Sequence, residues 1–346
     1  MSIVDVSIII VSRDARALTS RCVGSIDAAA SRTSFETIVV DNASADGSAD
    51  HVELVCPGCR VLRNSDDLGF AAAAHRGIEA ARGEYLLFVS PDLVPSPGSI
   101  DRLVQFARVR PEFGVYGGRT VDSDGALDPG SCAALPSMWS LFCFATGLSG
   151  LARGNRLFDP ESLGSWQRDT TRVVGMVADQ LLLVSREVYL SLGGFDQKYV
   201  SVGAAADLSA RAWKDGYRPV IVPSAEAVRP AMESLPVTSA VDLGVIEKSG
   251  VIENSGGAEN SAPGGSAEKV MSLSSRASYI RDHLRFRKTG LALLWLGVAL
   301  RATVATVFLR SGARTHWRAA WRQRDRWRNG QPTPVAPDAL PAAAAA

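Results

Sequence analysis

The chain has 346 residues, enough for one large or two ordinary domains, and its 46% hydrophobic and 21% charged residues suit a chain that buries its own core. That balance excludes a wholly disordered or collagen-like chain, and a formal charge of +1 from 37 basic and 36 acidic side chains excludes a uniformly basic nucleic-acid binder. The near-zero total conceals a split. Arg276 to Arg328 carries 13 Lys/Arg against two acids, a net of +11, whereas residues 1–275 carry 24 basic against 33 acidic side chains, a net of −9.

Val6-Ser7-Ile8-Ile9-Ile10-Val11 is a short apolar run rich in β-branched residues, the pattern of a strand covered on both faces. A helix follows over Leu18–Ala30, then a second buried strand, Thr37–Val40, which runs into the polar cluster Asp41–Ser48. Residues 49–55 read as a helix, Arg60–Arg63 as a strand, Phe70–Ala81 as an Ala-rich helix and Glu84–Val89 as a strand stopped by Ser90-Pro91-Asp92. Such alternation predicts βαβ units and a mostly parallel sheet flanked by helices. Ligands of such sheets bind beyond the carboxyl ends of the strands, so the acidic loops 41–48 and 90–92 share one rim. Further on, Val173-Val174, Leu181–Val184 and Val220–Val222 are strand-like and Asp207–Trp213 is helical.

The five cysteines are an odd number, which argues against a disulfide framework. Cys56-Pro57-Gly58-Cys59 sits in a short connection without the strand-then-helix context of a redox motif, so a structural or incidental role is expected. The N-terminus has no basic region followed by an apolar core, so no secretory signal is expected and the body should fold in the cytosol.

Composition divides the chain into a body over 1–230, a Gly/Ser-rich linker over 231–275, a basic helical arm over 276–329 and a disordered tail over 330–346. The linker contains a tandem repeat, Val245–Gly250 followed by Val251–Gly256, too short for a solenoid. In the arm, Gly290–Leu309 is apolar apart from Arg301, and Trp317, Trp321 and Trp327 stand among arginines. Tryptophan beside arginine suits an anionic membrane surface, so residues 285–328 are expected to contact one. A span is the less favoured form because of Arg301. A helix packed on the body is the alternative, and nucleic acid is not the expected partner.

The rim has its own chemistry. A carboxylate such as Asp41 accepts hydrogen bonds from base imide or ribose hydroxyl groups. A second carboxylate, Asp92, can hold Mg2+ or Mn2+ together with substrate phosphates. Singly, each aspartate is more readily a turn former or helix cap. There is no GxxxxGK[ST] loop and no GxGxxG after the first strand, so P-loop and ordinary dinucleotide readings fit poorly.

Taken together, VSIIIVSRD (6–14), IVVDNASADGS (38–48), NSDDLGFAAAAHRGIEAARGEYLLFVSPDLVPSPG (64–98), LLLVSREVYLSLGGFD (181–196) and DLSARAWKDG (207–216) resemble family 2 glycosyltransferases, closest to their rhamnosyltransferase-like branch. The resemblance covers about residues 4–229 and implies a GT-A fold, a Rossmann-like α/β sheet, that transfers a sugar from a nucleotide-diphosphate sugar with inversion. On matching positions it implies that Asp41 meets the base, with Ser12, Asn42 and Asp46 lining that pocket. It implies that Asn64, Asp67 and Gly69 lie against ribose and diphosphate, and that Asp92 ligates Mg2+ or Mn2+.

The sequence departs from the family where the general base is expected. Gly203-Ala204-Ala205-Ala206-Asp207-Leu208 stands where a Gly-Glu-Asp-x-Asp-Leu block is usual, so both acids of the pair are alanine. Asp179 is the candidate substitute. Asp207 is less well placed, because two positions along a helix turn a side chain by about 200°. Arg229 aligns with a position where the family commonly has His, and Ser90 with an Asn or Asp; Arg229 is a candidate for diphosphate charge or a solvated surface group. The expected function is transfer of a sugar, with rhamnose or another deoxysugar favoured by the resemblance, to a lipid-linked or polysaccharide acceptor in cell-surface glycan assembly at the inner face of the plasma membrane. The alternative is a catalytically impaired relative that binds nucleotide-sugar or acts as a scaffold.

Overall fold

The computed structural model describes residues 4–152, 154–199, 203–230, 265–308, 317 and 320–329. In chain order the first unit contains β1 (Val6–Ser12), α1 (Arg16–Ala29), β2 (Phe35–Asp41), α2 (Ser48–Val55), β3 (Arg60–Arg63), α3 (Gly69–Ala80), β4 (Tyr85–Val89), β5 (Val94–Pro95) and α4 (Ser99–Val109). It continues with β6 (Val115–Asp122), β7 (Cys132–Ala133), α5 (Met138–Thr146), α6 (Leu148–Leu151), β8 (Arg172–Val173), β9 (Met176–Val177), β10 (Leu181–Ser185), α7 (Arg186–Ser191), α8 (Ala204–Lys214) and β11 (Val220–Arg229).

The main sheet runs β3-β2-β1-β4-β10-β6-β11-β5, with β8 also on β11. Its first four strands are parallel, as the βαβ pattern predicts. Beyond β4 the sheet is mixed: β10 lies antiparallel to both β4 and β6, β11 is parallel to β6, and β5 and β8 are antiparallel to β11. Chain order alone does not disclose this change of direction, because the strands that cause it are short or separated by the long 122–180 excursion.

Both faces of the central strands are covered, which is why they read as unbroken apolar runs. On one face Ile8, Ile10, Val39 and Leu87 pack with Cys22, Val23 and Ile26 of α1 and Leu103 and Val104 of α4. On the other, Phe88 lies 4.8 Å from Phe195 between ring centroids, and Phe195 lies 5.3 Å from Phe70. Each such aromatic pair contributes about 0.5–1.5 kcal/mol beyond its buried area. Asp101, on α4, is buried and ties down the α1–β2 loop through Ser31, the Arg32 amide and Thr33.

Cys56 and Cys59 form a disulfide in the connection between α2 and β3. It is a local three-residue link, and Cys22, Cys132 and Cys143 are free and buried.

The chain divides into two units, the second beginning at Ala258. That unit contains α9 (Gly265–His283), α10 (Arg287–Phe308) and α11 (Arg324–Arg328), which pack on one another. Helix α9 begins inside the segment expected to be linker; the tandem repeat and the tail after Asn329 lie outside the described residues. Trp327 is fully buried, with its indole N–H donated to the Ala320 carbonyl, so this tryptophan does not face a lipid surface as its Trp/Arg spacing suggests. Trp321 lies 5.0 Å from Trp295, and Arg301 sits over Trp317. Burial draws the Arg301 guanidinium down to about 10. Among the described residues no helix is long and apolar enough to cross a membrane.

Candidate active site

The parallel strands end in register. Ser12 of β1 is level with Asp41 of β2, which is level with Arg63 of β3, so the loops after them open on one edge of the sheet. The chain leaves β2 through Asn42, whose amide is donated to the Ser12 carbonyl at 2.8 Å, and Asn64 donates its amide to the Asp41 carbonyl at 2.9 Å. These bonds carry the strand ladder one residue beyond the sheet and fix where the side chains stand.

Asn42, Asn64 and Asp67 interlock. The Asn64 side-chain amide is donated to Asn42 Oδ1 at 2.8 Å, the Asn42 side-chain amide to Asp67 Oδ1, and the backbone N–H of Gly69 also to Asp67 Oδ1 at 2.9 Å. Gly69 has φ +73°, a left-handed conformation costly for any side chain, and it turns the chain into α3 directly behind Asp67. Two arginines that the sequence reading left aside close the ring: Arg13 donates to Asp67 Oδ2 and Arg76 to Asn64 Oδ1.

Asp41 differs from its neighbours. It is 5% exposed, its Oδ2 accepts a hydrogen bond from the Ser44 amide at 3.2 Å, and its Oδ1 is buried with no partner among the described residues. A buried carboxylate oxygen left unpaired costs on the order of 1–3 kcal/mol or more, so it marks a place where a donor group belongs. Asp46, by contrast, is spent on the fold: its oxygens accept from the Arg16 and Ser48 amides and the Ser48 hydroxyl. Ser12 is 1% exposed, its hydroxyl paired with Thr19 at 2.6 Å. Both spend these groups on bracing the loops after β1 and β2.

The other end of the rim is built around Asp92. Strand β5 starts two residues after Asp92 and pairs antiparallel with the end of β11, Val94 opposite Val228, which carries Arg229 back to Asp92. Arg229 Nε lies 3.0 Å from Asp92 Oδ2, and its Nη1 donates to Asp128 Oδ2 at 2.6 Å. The Ser90 hydroxyl is donated to Asp92 Oδ1. Asp128 escaped the sequence reading because Asp-Pro-Gly reads as an ordinary turn, and only the sheet register places it beside Arg229.

Asp179 is partly buried near Asp92. Desolvation, with the Asp92 charge adding to it, raises its carboxyl to about 6. Ala204 and Ala205 are buried at the start of α8, behind Gly203 with φ +107°. Asp207 is 3% exposed and paired with Arg211 one turn on, whose guanidinium also reaches the Leu192 and Gly194 carbonyls. That pairing commits Asp207 to bracing the Gly193-Gly194 turn, and as a proton acceptor it is a poor fit.

The donor set fits a divalent cation poorly. Asp92 is the one carboxylate expected to ligate Mg2+ or Mn2+, and Ser90 and Arg229 engage its two oxygens. Among the described residues no group of three or more His, Cys, Asp or Glu side chains could hold a metal ion.

Residues 7–139 match the family model described as Glycosyl transferase family 2. The N-acetylglucosaminyl-diphospho-decaprenol L-rhamnosyltransferase of Mycobacterium tuberculosis (strain ATCC 25618 / H37Rv) is 29% identical over 235 residues, covering 61% of this chain and 72% of the relative. The O-antigen biosynthesis protein RfbC of Myxococcus xanthus is 28% identical over 218 residues, 62% of this chain and 16% of the relative. Among solved structures, the mannosyltransferase PcManGT from Pyrobaculum calidifontis, in complex with GDP-Man and Mn2+, superposes with a TM-score of 0.52 at 15% identity. The likeness covers 93% of this chain and 87% of that one, and at such identity it speaks for the fold alone. The sheet with its strand-end rim therefore belongs to a GT-A glycosyltransferase fold. Residues 7–139, less than half of the chain, are thus similar to family 2 glycosyltransferases, and the relatives that match the chain more widely include a rhamnosyltransferase.

Proposed function

We propose that the chain transfers a sugar, with rhamnose or another deoxysugar favoured, from a nucleotide-diphosphate donor to a lipid-linked or polysaccharide acceptor in cell-surface glycan assembly. The observation that carries the proposal is Asp41, a buried carboxylate with one unpartnered oxygen at the end of β2, framed by the interlocked Asn42, Asn64 and Asp67. The base or ribose of a nucleotide supplies the donor that Asp41 Oδ1 lacks. The relatives named above, one a rhamnosyltransferase and one an O-antigen biosynthesis protein, support the sugar and the setting.

In the reaction the acceptor hydroxyl oxygen bonds to the anomeric carbon as the bond from that carbon to the diphosphate breaks. The electron pair leaves with the nucleoside diphosphate. Asp179 is the base that takes the hydroxyl proton, because a carboxylate raised to about 6 is ionised at pH 7 yet more basic than an exposed one. The test is transfer of radiolabelled sugar from dTDP- or UDP-rhamnose to a polyprenyl-diphosphate acceptor. Label in the lipid fraction, absent with Asp41→Ala, is expected; no transfer or donor hydrolysis with any nucleotide-sugar overturns the reading.

A second reading is favoured by Ala204 and Ala205: a nucleotide-sugar-binding scaffold without turnover. It predicts that nucleotide binds, that donor is stable, and that turnover appears only in the double variant Ala204→Glu with Ala205→Asp.

Membrane contact through 285–328 belongs to the same proposal. Leu296, Leu300 and Val304 form an exposed stripe at helical spacing along α10, with exposed Arg285, Arg287 and Lys288 at its start. This stripe, and not the buried Trp327, is the surface that meets anionic lipid. Co-sedimentation with phosphatidylglycerol vesicles should fall when Leu296 and Leu300 become Ser; unchanged sedimentation argues against it.

A further inference from the structure

The pairing of Arg229 with Asp92 bears on how the diphosphate is held. The guanidinium stands against Asp92 Oδ2, the oxygen a cation would need, and a second carboxylate, Asp128, grips its Nη1. Asp128 is fixed in turn, since its Oδ1 accepts the Gly130 amide at 2.9 Å. Nη2 is buried and has no acceptor among the described residues, and Nε, though 3.0 Å from Asp92 Oδ2, makes no hydrogen bond to it. A buried guanidinium N–H without a partner is costly, and a phosphate oxygen is its natural complement, because guanidinium forks match phosphate geometry.

We propose that Arg229 is the diphosphate-binding group of this chain and replaces the divalent cation, with Asp92 and Asp128 acting as positioning residues for its guanidinium. The inference rests on the nucleotide-sugar reading above. Backbone pairing supports the arrangement as a built feature: the β5–β11 ladder sets Arg229 beside Asp92, and β6 sets Asp122 level with Arg229 just before the turn that carries Asp128. Arg13 and Arg76, at the opposite end of the rim, add positive charge to an edge that a metal would otherwise have to neutralise. The opposing consideration is electrostatic. Two carboxylates flank one guanidinium, so an added cation is the competing solution.

Calorimetric titration of the full chain separates the two. UDP, dTDP, GDP and the corresponding monophosphates are titrated in EDTA and again with Mn2+. The expected result is that one diphosphate binds in EDTA within about threefold of its affinity in Mn2+, and binds about ten- to a hundredfold more tightly than its monophosphate. Arg229→Gln should bring diphosphate affinity down to the monophosphate level while monophosphate affinity stays unchanged, which also shows that the variant is folded. Arg229→His should make diphosphate binding depend on Mn2+. Diphosphate binding that vanishes in EDTA and returns with Mn2+ overturns the inference but leaves the nucleotide-sugar reading standing. Failure of every nucleotide under both conditions overturns both.

Discussion

The two ends of the rim are built differently. At the β1–β2–β3 end Asp67, Asn42, Asn64 and Asp46 spend hydrogen bonds on one another and on the backbone, and Asp41 Oδ1 is buried with no partner among the described residues. At the β4–β10–β11 end the acids expected for catalysis are alanines, a serine and an arginine occupy the oxygens of Asp92, and Asp179 is pushed toward neutrality. The first end is cross-braced before any ligand arrives, and on the proposed nucleotide-sugar reading that fixity lowers the cost of ordering on binding. The second has alanines where the resemblance leads one to expect acids, and the proposed chemistry there falls to Asp179 and Arg229.

The sharpest way to break this contrast is Asp179→Asn. With the base gone and the shape kept, turnover should fall by roughly 10²–10⁴-fold while nucleotide affinity is unchanged. Nucleotide affinity that falls with turnover would move Asp179 into the binding end. Next in size is Asp41→Ala, which should weaken nucleoside diphosphate and monophosphate alike by about ten- to a hundredfold, in contrast to the diphosphate-only loss expected at Arg229.

The pH profile separates the ends without mutation. Asp179 must be ionised to accept a proton, so turnover should rise with pH through about 6 and level off above it, with nucleotide affinity following a different course. A rate that falls through the same interval would assign Asp179 the opposite role, that of an acid.

The smallest expected effect is a control. Burial would raise the Asp101 carboxyl, but hydrogen bonds from Thr33, the Arg32 amide and Ser31 outweigh it and hold the group below the usual carboxylate range. The stability it contributes is therefore present above the unfolded carboxylate value and is lost as pH falls through the lower folded one. Asp101→Asn should cost about 1–3 kcal/mol in denaturant unfolding, least at acid pH, and leave nucleotide affinity untouched.

Much of the binding end was legible in the sequence, because its strands are buried on both faces and its loops follow them directly. Continuous apolar runs fixed β1, β2 and β4, and the polar clusters after β2 and β4 located the rim. What local pattern could not disclose is partnership over distance. Asp46 reads as a pocket residue, and its bonds to the Arg16 and Ser48 amides at the starts of α1 and α2 could not be foreseen, since a carboxylate in a polar loop looks the same in either role. Asp92 and Arg229 meet because a two-residue strand, Val94–Pro95, pairs with β11, and so short a strand leaves no periodic signal. Trp327 misleads for a similar reason: tryptophan among arginines at helical spacing describes a membrane surface and a packed three-helix unit equally well.

The most direct test is a single-turnover measurement at pH 7.5, with the full chain in excess over labelled nucleotide-sugar and polyprenyl-diphosphate acceptor, comparing the wild-type chain with Asp179→Asn while nucleotide binding is followed in the same samples. The account predicts full donor binding in both and sugar transfer in the wild type alone. Equal transfer by the two proteins, or a wild-type chain that binds donor and never transfers it, would contradict it.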